Sequence, residues 1–506
     1  MPGRWLRVTS PAFMRLKILV SWLYEVRDSK TNFSRPGSIT CGVNGENCRP
    51  FHHRTFAFRC PATCQATIIS TPETIGGREI NYQNVVVGGS MQLNHAKVPT
   101  YRGDSFICAA AIHAGLLDGR YGGSGIVSLI GEQKNFPSVE SNGISSIEFG
   151  PSFPVAFSFP EGGENTEIKT SCKDPRWVVL AISVICTSLL SIFTVSPAVF
   201  FGSVFVGVYL TVALALDSPD FEDYYSVISQ AFGGLLPAVF VGLVIYYFCV
   251  SHTLRNLTAQ FERTVLWLGA CWMGALDNFT LERLPIQRLT PHDLQQPGAL
   301  NTLIVIVVLI VAIALSQAWA FSTEGRMLRY LTFYALLGVF LLTLTTIPHM
   351  NLRLHHYVIA LILLPGTALQ TRPSLIYQGF LVGLFLNGIA RWGFDSILQT
   401  PGELFGDELN SIVPQITTPI IDGNNITFLW ANLTSAFDSI SVLVNDVERF
   451  RGYADHTSGS FSWTRYKADE PEFFRFGYIR YPKMWGSIIG DYTQHATWAT
   501  NGTWFP

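Results

Sequence analysis

Histidines and carboxylates close to the ends of apolar segments are the residues of this chain best suited to chemistry. They are His349, the adjacent pair His355 and His356, and the pair His292 and Asp293. A histidine beside a carboxylate can coordinate zinc or transfer a proton. Adjacent histidines on a helix point about 100° apart, however, and none of these spacings matches a metal motif. The sequence therefore offers a candidate polar site without a recognisable catalytic or metal-binding pattern.

A second polar pattern lies on the last apolar segment, where Gly379, Gly383, Asn387, Arg391 and Asp395 recur every fourth residue. Such a stripe drifts by only about 40° per step around a helix. Glycines permit close helix contact, whereas polar groups at membrane depth commonly face protein or a water-filled cavity. Two interpretations stay open: a helix-packing seam with a polar end, or a polar cavity at the outer face of the membrane.

Composition limits the class of protein. Of the 506 residues, 48% are hydrophobic and 14% are charged, against about 25% charged in an average soluble domain. The net charge of −2 and the lack of a basic run argue against nucleic acid as a partner. The sequence contains no HExxH, Walker or G-x-S-x-G pattern. We therefore expect a membrane protein without a cofactor or resident metal, and catalysis is the weakest functional hypothesis.

The stretch Trp177–Leu216 identifies the membrane region. It is forty residues long without an ionised side chain, and about 20 apolar residues suffice to span a bilayer. Ser196 is a good helix N-cap and Pro197 suits a first turn, so two spans should be joined there. Further apolar segments are Ala231–Val250, Thr264–Leu276, Leu300–Phe321, Leu328–Ile347, Leu354–Leu369 and Leu375–Phe394. Residues 177–394 thus predict a polytopic bundle of about eight helices, in which the short Thr264–Leu276 could also be re-entrant.

Parity and charge predict the orientation of this bundle. An even number of spans puts the domains before and after it on one side of the membrane. The loops of the opposite side carry five arginines against three on the shared side, a modest positive-inside bias: Arg255, Arg263, Arg326, Arg329 and Arg372 against Arg283, Arg288 and Arg353. We therefore expect exoplasmic flanking domains on an integral membrane protein of the endoplasmic reticulum, vacuole or plasma membrane.

Cysteine usage supports this compartment. Six of the nine cysteines occur in residues 41–172: Cys41, Cys48, Cys60, Cys64, Cys108 and Cys172. This density is typical of a disulfide scaffold in an oxidising compartment. Cys60 and Cys64 with His113 would offer soft metal ligands, but the paired CxxC spacing of structural zinc sites is missing.

Local patterns predict an α+β arrangement in this region. A helix is expected over Asp104–His113, capped by Asp104 and closed by Gly115. Strand-like runs occur at Phe56–Arg59, Asn84–Val87 and Gly125–Ile130.

The same residues resemble the LCCL domain. The similarity lies in Cys60-Pro-Ala-Thr-Cys64, Val87-Gly-Gly89, Ser141-Asn-Gly-Ile-Ser145 and a signature comprising Tyr101, Asp104, Ser105, Cys108, His113, Gly115, Gly122 and Gly123. It covers about residues 58–160 and implies a central helix wrapped by twisted strands. It also implies that Cys64 is bonded to Cys108, and Cys60 to an upstream cysteine for which Cys41 and Cys48 compete. His113 is interpreted as a packed helix residue in preference to a catalytic one.

Beyond this domain the chain resembles the fungal LCCL-domain polytopic membrane proteins. The similarity is carried by Ser374–Pro401, by Arg288-Leu-Thr-Pro-His-Asp293 and by Val444-Asn-Asp-Val-Glu-Arg-Phe450. Such proteins usually have a membrane segment ahead of the LCCL domain, whereas residues 1–40 form a poorly defined segment here.

The residues after the bundle, 400–506, have a soluble composition again. Alternating runs at Ile426–Trp430, Ile440–Val444, Phe461–Tyr466 and Phe473–Tyr481 predict a small β-sandwich. The sequons at Asn425, Asn432 and Asn501 are candidate glycosylation sites that suit a lumenal domain.

The sequence thus predicts a multi-domain membrane protein: a disulfide-linked α+β LCCL domain in residues 41–172, a helical bundle and a C-terminal β-sandwich. Its expected function is recognition or scaffolding, with the lipid bilayer and a lumenal protein or glycoconjugate as partners. A transporter or receptor-like bundle with an exoplasmic polar cavity is the alternative, and a membrane-embedded hydrolase is less favoured.

Overall fold

The computed structural model describes residues 55–62, 64–66, 73–80, 83–89, 99–159, 174–216, 224–281, 284, 294, 298–348, 350–399, 412–430, 433, 437–452, 459–465, 467–481 and 488–506. Predictions on residues 1–40, Cys41, Cys48, Cys172, His292, Asp293, His349 and Asn432 lie outside these ranges. The chain forms two compact units. The membrane unit is built from the described residues between 175 and 399, and the flanking unit combines those of 55–174 with those of 412–506.

The first half of the flanking unit wraps short strands around helix α1 (Ile107–His113). The strands are β1 (Thr55–Cys60), β2 (Glu73–Ile75), β3 (Arg78–Ile80), β4 (Thr100–Arg102), β5 (Gly123–Ile130), β6 (Glu140–Ser141), β7 (Ile144–Ser145) and β8 (Ala156–Ser158). One antiparallel sheet has the order β1-β5-β8-β4. A 3-10 turn, Cys64–Ala66, follows β1. The segment Asn84–Val87, predicted to be a strand, makes only an isolated bridge from Val87 to Ile147.

Helix α1 is buried because its sequence is apolar and small. Ala109, Ala110 and Ala111 are fully buried, so the sheet can approach the helix closely. The helix begins three residues later than expected, and Phe106 occupies the N-cap position without a side-chain cap. The prediction that Asp104 caps this helix is therefore wrong, because its carboxylate accepts two hydrogen bonds from Arg102 instead.

The second half of the flanking unit is rich in strands. They are β11 (Ile420–Asp422), β12 (Asn425–Leu429), β13 (Ser439–Val444), β14 (Val447–Arg451), β15 (Ser460–Thr464), β16 (Glu472–Arg480), β17 (Ile488–Tyr492), β18 (Ala496–Trp498) and β19 (Trp504–Phe505). One sheet has the order β11-β12-β15, and the other has β14-β13-β16-β18-β19 with β17 also paired to β16. Apolar side chains from both sheets share one core, centred on Phe428, Val442 and Phe474. Each of the four predicted strands is present, within two residues of its expected ends.

A buried carboxylate joins the two halves of the flanking unit. Asp446 lies in the turn between β13 and β14, where Asn445 and Asp446 both have positive φ angles of 52° and 64°. Its Oδ2 atom accepts hydrogen bonds from Arg102 Nη1 at 3.1 Å and from the Gly76 amide at 2.9 Å. Its Oδ1 atom forms an ion pair with Arg475 at 3.0 Å. We call Arg102, Asp104, Asp446 and Arg475 the carboxylate clamp.

The surroundings of the clamp are dry. The side chains of Arg102, Asp446 and Arg475 are 1%, 6% and 8% exposed. The Arg102 guanidinium also stacks over the Phe149 and Phe153 rings, at 4.4 and 4.6 Å from their centroids. Val447, next to the clamp in sequence, is buried in a core whose other members come from the first half. Charge pairing and apolar burial therefore act at the same junction.

The membrane unit contains six described helices that are long and apolar enough to span a bilayer, together with shorter apolar helices. The helices are α2 (Arg176–Phe193), α3 (Pro197–Thr211), α4 (Tyr224–Ile245), α5 (Gly269–Ala275), α6 (Ala299–Thr323), α7 (Met327–Thr345), α8 (His356–Leu363) and α9 (Arg372–Arg391). The break between α2 and α3 is confirmed: Ser196 caps α3 by accepting a hydrogen bond from the Val199 amide, and Pro197 is the first residue.

Several of these helices are extended by short segments of other geometry. π-helical turns follow α3 (Val212–Leu216) and α4 (Tyr246–Val250) and precede α5 (Arg263–Leu268), and a 3-10 turn (Leu364–Thr367) follows α8. Short helices occur at Ser251–Leu254, Gln260–Glu262 and Asp277–Thr280, and β9 (Asn351–Leu352) pairs with β10 (Leu398–Gln399). Membrane character is thus shown by several long apolar helices, while the number of eight spans stays a prediction.

Helix α9 is the centre of the membrane unit, and three glycines let it contact α5 backbone to backbone. A Cβ atom on Gly379 would overlap the Trp267 carbonyl oxygen, and one on Gly383 would overlap the Cys271 carbonyl oxygen. In the opposite direction, a Cβ atom on Gly274 would overlap the Phe380 carbonyl oxygen. These contacts identify the glycine part of the predicted stripe as a packing seam.

The carboxylate clamp leads to a first prediction. Asp446→Asn keeps a side chain that tolerates the positive φ angle but removes the charge between two buried arginines. We expect a loss of about 3–5 kcal/mol in the stability of the flanking unit, because unpaired charge stays buried. Thermal unfolding and protease resistance of the purified full chain measure this loss.

Lys134→Ala is the matched control for the clamp, since it removes the partly exposed Lys134–Glu470 pair at 3.2 Å. It should cost no more than about 1 kcal/mol. Equal stability of the Asp446→Asn and wild-type proteins would show that the clamp does not hold the two halves together.

The glycine seam leads to a second prediction. Gly383→Ala should lower the thermal stability of the membrane unit by about 1–3 kcal/mol or more, because the new methyl group must push α5 away. Gly338→Ala in α7 is the control, since nothing lies within 4 Å of a Cβ atom there. It should be neutral or slightly stabilising, because alanine favours a helix by about 1 kcal/mol over glycine. Unfolding of both proteins in one detergent compares them, and equal midpoints would contradict the seam.

Candidate functional site

His113, the residue of the LCCL-like signature whose side chain is best suited to chemistry, has a structural role. It is 2% exposed and lies on α1. Its Nε2 atom is 3.0 Å from the Val139 carbonyl oxygen, and its Nδ1 atom is 2.8 Å from the Tyr101 hydroxyl. A carbonyl can only accept, so Nε2 carries a proton and donates it to the Val139 carbonyl. Both ring nitrogens are thus used to tie the helix to its surroundings.

Other signature residues also shape the backbone. Ser105 Oγ accepts a hydrogen bond from the Val87 amide and donates to the Val87 carbonyl. Gly115 ends α1 with a φ angle of 74°. A Cβ atom on Gly122, whose φ angle is 65°, would overlap the Cys60 carbonyl oxygen, and Gly123 pairs with Cys60 across the sheet. The contacts of these signature residues therefore shape the fold.

A disulfide is present, but the pairing differs from the expectation. Cys108 is bonded to Cys60, so the predicted bond between Cys64 and Cys108 is wrong, and so is the bond from Cys60 to an upstream cysteine. Because β1 brings Cys60 to the N-terminal turn of α1, the sulfurs of Cys60, Cys64 and Cys108 all lie within 4.8 Å of one another. Sequence spacing could not decide between partners at such similar distances. The membrane-unit cysteines Cys186, Cys249 and Cys271 are thiols.

An open groove of about 1060 Å³ lies on the flanking unit, beside the carboxylate clamp. Its floor includes Phe136 and Phe149, which are buried, and Phe473 from the strand-rich half is partly exposed beside them. Exposed side chains with amide, hydroxyl and charged groups form the rim: Arg78, Gln133, Lys134, Asn135, Ser138 and Glu148. Both signs of charge occur, so the groove is suited to a neutral or mixed polar ligand. No sequence pattern identifies these residues, because they come from β3 and from two loops that are separate in sequence.

The polar residues of the stripe on α9 have two different environments. Asn387 is fully buried, and its amide donates to the Ala275 carbonyl at the end of α5, at 3.0 Å. Arg391 is partly exposed and lies over the Trp392 ring at 4.8 Å, and Asp395 is exposed. Asn387 therefore continues the packing seam, whereas Arg391 and Asp395 lie at its end.

The candidate histidines next to this helix end are partly buried. His355 is the N-cap residue of α8, and its ring stacks on Tyr357 at a centroid distance of 5.8 Å. His356 Nε2 would lie 2.9 Å from a Cβ atom on Gly388, so this imidazole packs against α9. In the described part of the chain, the only group of His, Cys, Asp and Glu side chains close enough to hold a metal is the cysteine trio of the flanking unit.

A buried polar chain in the membrane unit was not predicted. Gln378 is fully buried on α9 and accepts a hydrogen bond from Trp267 Nε1 at 3.1 Å. Its amide nitrogen donates to Thr253 at 2.9 Å. Ser374, one turn earlier, donates to Gln317 of α6 at 2.8 Å. These bonds satisfy polar groups that would otherwise be costly in a membrane, and they fix α9 to three neighbouring segments.

Two of the predicted glycosylation sites lie on the described surface. Asn425 is exposed on β12, and its Oδ1 atom accepts a hydrogen bond from Thr464. Asn501 is exposed in a turn, where its Oδ1 atom accepts from the Thr503 amide at 3.0 Å and the Thr503 hydroxyl at 2.6 Å. Both asparagines are thus accessible for modification.

Comparison with known proteins identifies the first half of the flanking unit. Residues 36–153 match the LCCL domain family. The chain is also 34% identical over 441 residues to the uncharacterized protein YIL067C of Saccharomyces cerevisiae. This match covers 81% of the chain and 63% of the length of the yeast protein. No solved structure matches the chain.

These matches agree with the geometry. The LCCL match contains the buried helix α1 and the Cys60–Cys108 disulfide. The yeast similarity extends over most of the chain, which contains several apolar helices of spanning length. The chain therefore contains an LCCL domain, is similar over most of its length to this yeast protein, and has several helices that are long and apolar enough to span a membrane.

Proposed function

We propose that this protein is a recognition or scaffolding protein whose flanking unit binds a lumenal protein or glycoconjugate. The groove carries this proposal, since it combines an apolar floor with exposed amide, hydroxyl and charged groups. Sugar rings and peptide segments both offer apolar faces together with hydrogen-bonding groups, and such mixed concave surfaces are typical of binding sites. The signature residues hold the fold, and the loops between its strands supply the variable surface.

The carboxylate clamp supports our proposal that both halves of the flanking unit lie on the same side of the membrane. Two segments that lie before and after the membrane region in sequence are joined by buried ion pairs and a common core. Such a unit requires an even number of spans between them. The six long helices together with the shorter segments Arg263–Ala275 and His356–Thr367 support our proposal of eight spans. The two sheets with one core likewise support the proposed C-terminal β-sandwich.

The disulfide supports an exoplasmic location for the flanking unit. Cys60–Cys108 needs an oxidising compartment to form and persist. The loops on the opposite side of the membrane carry more arginines, and this bias also supports an exoplasmic flanking unit. A cavity-based transporter function has less support, because Asn387 is packed against α5.

The groove proposal predicts glycan binding that depends on its rim. Gln133→Ala with Asn135→Gly removes two exposed amides, and glycine is chosen because Asn135 has a φ angle of 57°. The purified full chain should bind a defined subset of an immobilised glycan array, and the double variant should lose this binding by at least about tenfold, as expected for two lost hydrogen bonds.

Asn424→Ala with Gln494→Ala is the control for this experiment, because both residues are exposed amides outside the groove. It should bind like the wild type. Unchanged binding by the groove variant would place recognition elsewhere, and equal loss in both double variants would indicate a nonspecific amide effect.

The exoplasmic orientation predicts glycosylation at Asn501. Asn501→Gln should increase the electrophoretic mobility of the full chain, and treatment with a peptide N-glycosidase should remove the difference from the wild type. Thr503→Ser preserves the hydroxyl acceptor site and should stay glycosylated, whereas Thr503→Ala should not. The orientation would be contradicted if the flanking unit were never glycosylated and if protease added to the outside of sealed microsomes digested it.

A further inference from the structure

Three connecting segments meet at one end of the membrane unit. They are residues 251–259 after α4, residues 324–326 between α6 and α7, and residues 368–371 between α8 and α9. The Gln370 amide donates to the Arg255 carbonyl at 2.7 Å, and Arg326 Nη1 donates to the Ala368 carbonyl at 3.3 Å. Thr253 adds a longer contact to the Thr367 carbonyl at 3.5 Å. The segments thus form a connected surface, which we call the connector face.

The connector face is basic. Arg255 and Arg326 lie on segments that are hydrogen-bonded to residues 368–370, and Arg329 follows Arg326 by three residues, in the first turn of α7. Arg326 is held by Glu324 at 3.0 Å and by the Tyr330 hydroxyl at 2.8 Å. Arg255 and Arg329 are exposed, and neither forms an ion pair with a residue in the described ranges.

The nearby acidic residues do not neutralise this surface. Arg372, at the start of α9, is 78% exposed and forms an ion pair with Glu262 at 3.3 Å. Among the described residues on the face and next to it, the carboxylates are Glu262 and Glu324, against Arg255, Arg326, Arg329 and Arg372. The balance is 4 − 2 = +2, and Arg255 and Arg329 are the two arginines that have no carboxylate partner in the described ranges.

We propose that the connector face binds the headgroup of an anionic phospholipid that carries a phosphate monoester. Guanidinium groups match phosphate oxygens in a bidentate geometry, which an ammonium group cannot reproduce. Arg255 and Arg329 supply the two free guanidinium groups, and Arg326 is already oriented beside them. This site is independent of the groove and of the recognition function proposed for it.

The position of the face favours a lipid over a soluble phosphate compound. Phe261 and Leu328 flank the arginines, and both are 76% exposed. The arginines themselves lie at the ends of apolar helices of spanning length, which is the depth of lipid headgroups. Acyl chains would cover the exposed apolar side chains while the phosphate meets the guanidinium groups. Clustered basic residues at this depth attract anionic lipid by about 1 kcal/mol each.

The test uses the purified full chain in detergent and measures binding of short-chain lipids by thermophoresis. The probes are dioctanoyl forms of phosphatidylinositol 4-phosphate, phosphatidylserine and phosphatidylcholine, together with soluble inositol 1,4-bisphosphate. We expect saturable binding in the order phosphoinositide, phosphatidylserine, phosphatidylcholine, with the soluble headgroup weaker than the phosphoinositide. Arg255→Ala with Arg329→Ala should weaken phosphoinositide binding by about thirtyfold, the equivalent of two such attractions.

Two further variants make the result specific. Arg255→Lys with Arg329→Lys keeps the charge, so phosphatidylserine binding should persist while the preference for the phosphate monoester falls. Arg120→Ala removes one exposed arginine of the LCCL domain and should change nothing. Wild-type phosphoinositide affinity in the double alanine variant would overturn the proposal. Equal binding of the soluble headgroup and the lipid would overturn the lipid assignment, and so would equal binding of phosphatidylcholine and phosphoinositide.

Discussion

The flanking unit depends on one buried carboxylate. Asp446 meets two arginines and a backbone amide, and each comes from a different segment. Burial by itself would raise the pKa of the Asp446 carboxyl, but the charges of Arg475 and Arg102 outweigh it and hold that pKa below its ordinary value. Because the folded pKa is lowered, the stabilisation is present above the ordinary pKa and is lost only as pH falls through the lowered value. The clamp is therefore suited to mildly acidic compartments.

A buried ion pair is weak as a source of net stability but strong as a source of specificity. Desolvation of Asp446 and both arginines offsets much of their attraction, whereas any docking that leaves one of them unpaired is strongly disfavoured. Apolar burial around Val447 supplies the nonspecific attraction, and the clamp selects one arrangement. It follows that the segments before and after the membrane region in sequence are held together in one unit. This in turn constrains the number of membrane spans that lie between them.

The sequence predicted those features that depend on neighbouring residues. Ser196 and Pro197 identified a helix start because capping is local, and alternation identified the strands of the C-terminal half for the same reason. The partner of Cys108 could not be predicted, because three sulfurs converge in space from separate segments. Asp104 was assigned to a cap because the long-range contact of Arg102 with Asp446, which places the Arg102 guanidinium beside the Asp104 carboxylate, was not recognisable. The groove was missed entirely, since its rim comes from β3 and from two loops that only the fold brings together.

The glycine seam shows how a periodic pattern can be interpreted once its partner helix is known. Gly379 admits the carbonyl oxygen of Trp267, in the π-helical turn before α5, and Gly383 admits that of Cys271 in α5. Asn387 then donates to the carbonyl of Ala275 at the end of α5. A side chain that caps a neighbouring helix has a reason to be polar at this depth that requires no substrate. Gln378, which directly precedes Gly379 in sequence, likewise satisfies buried polar groups of neighbouring segments. Because these polar residues serve helix packing, we expect binding to occur on surfaces outside the seam. This favours a scaffolding function over a transport function.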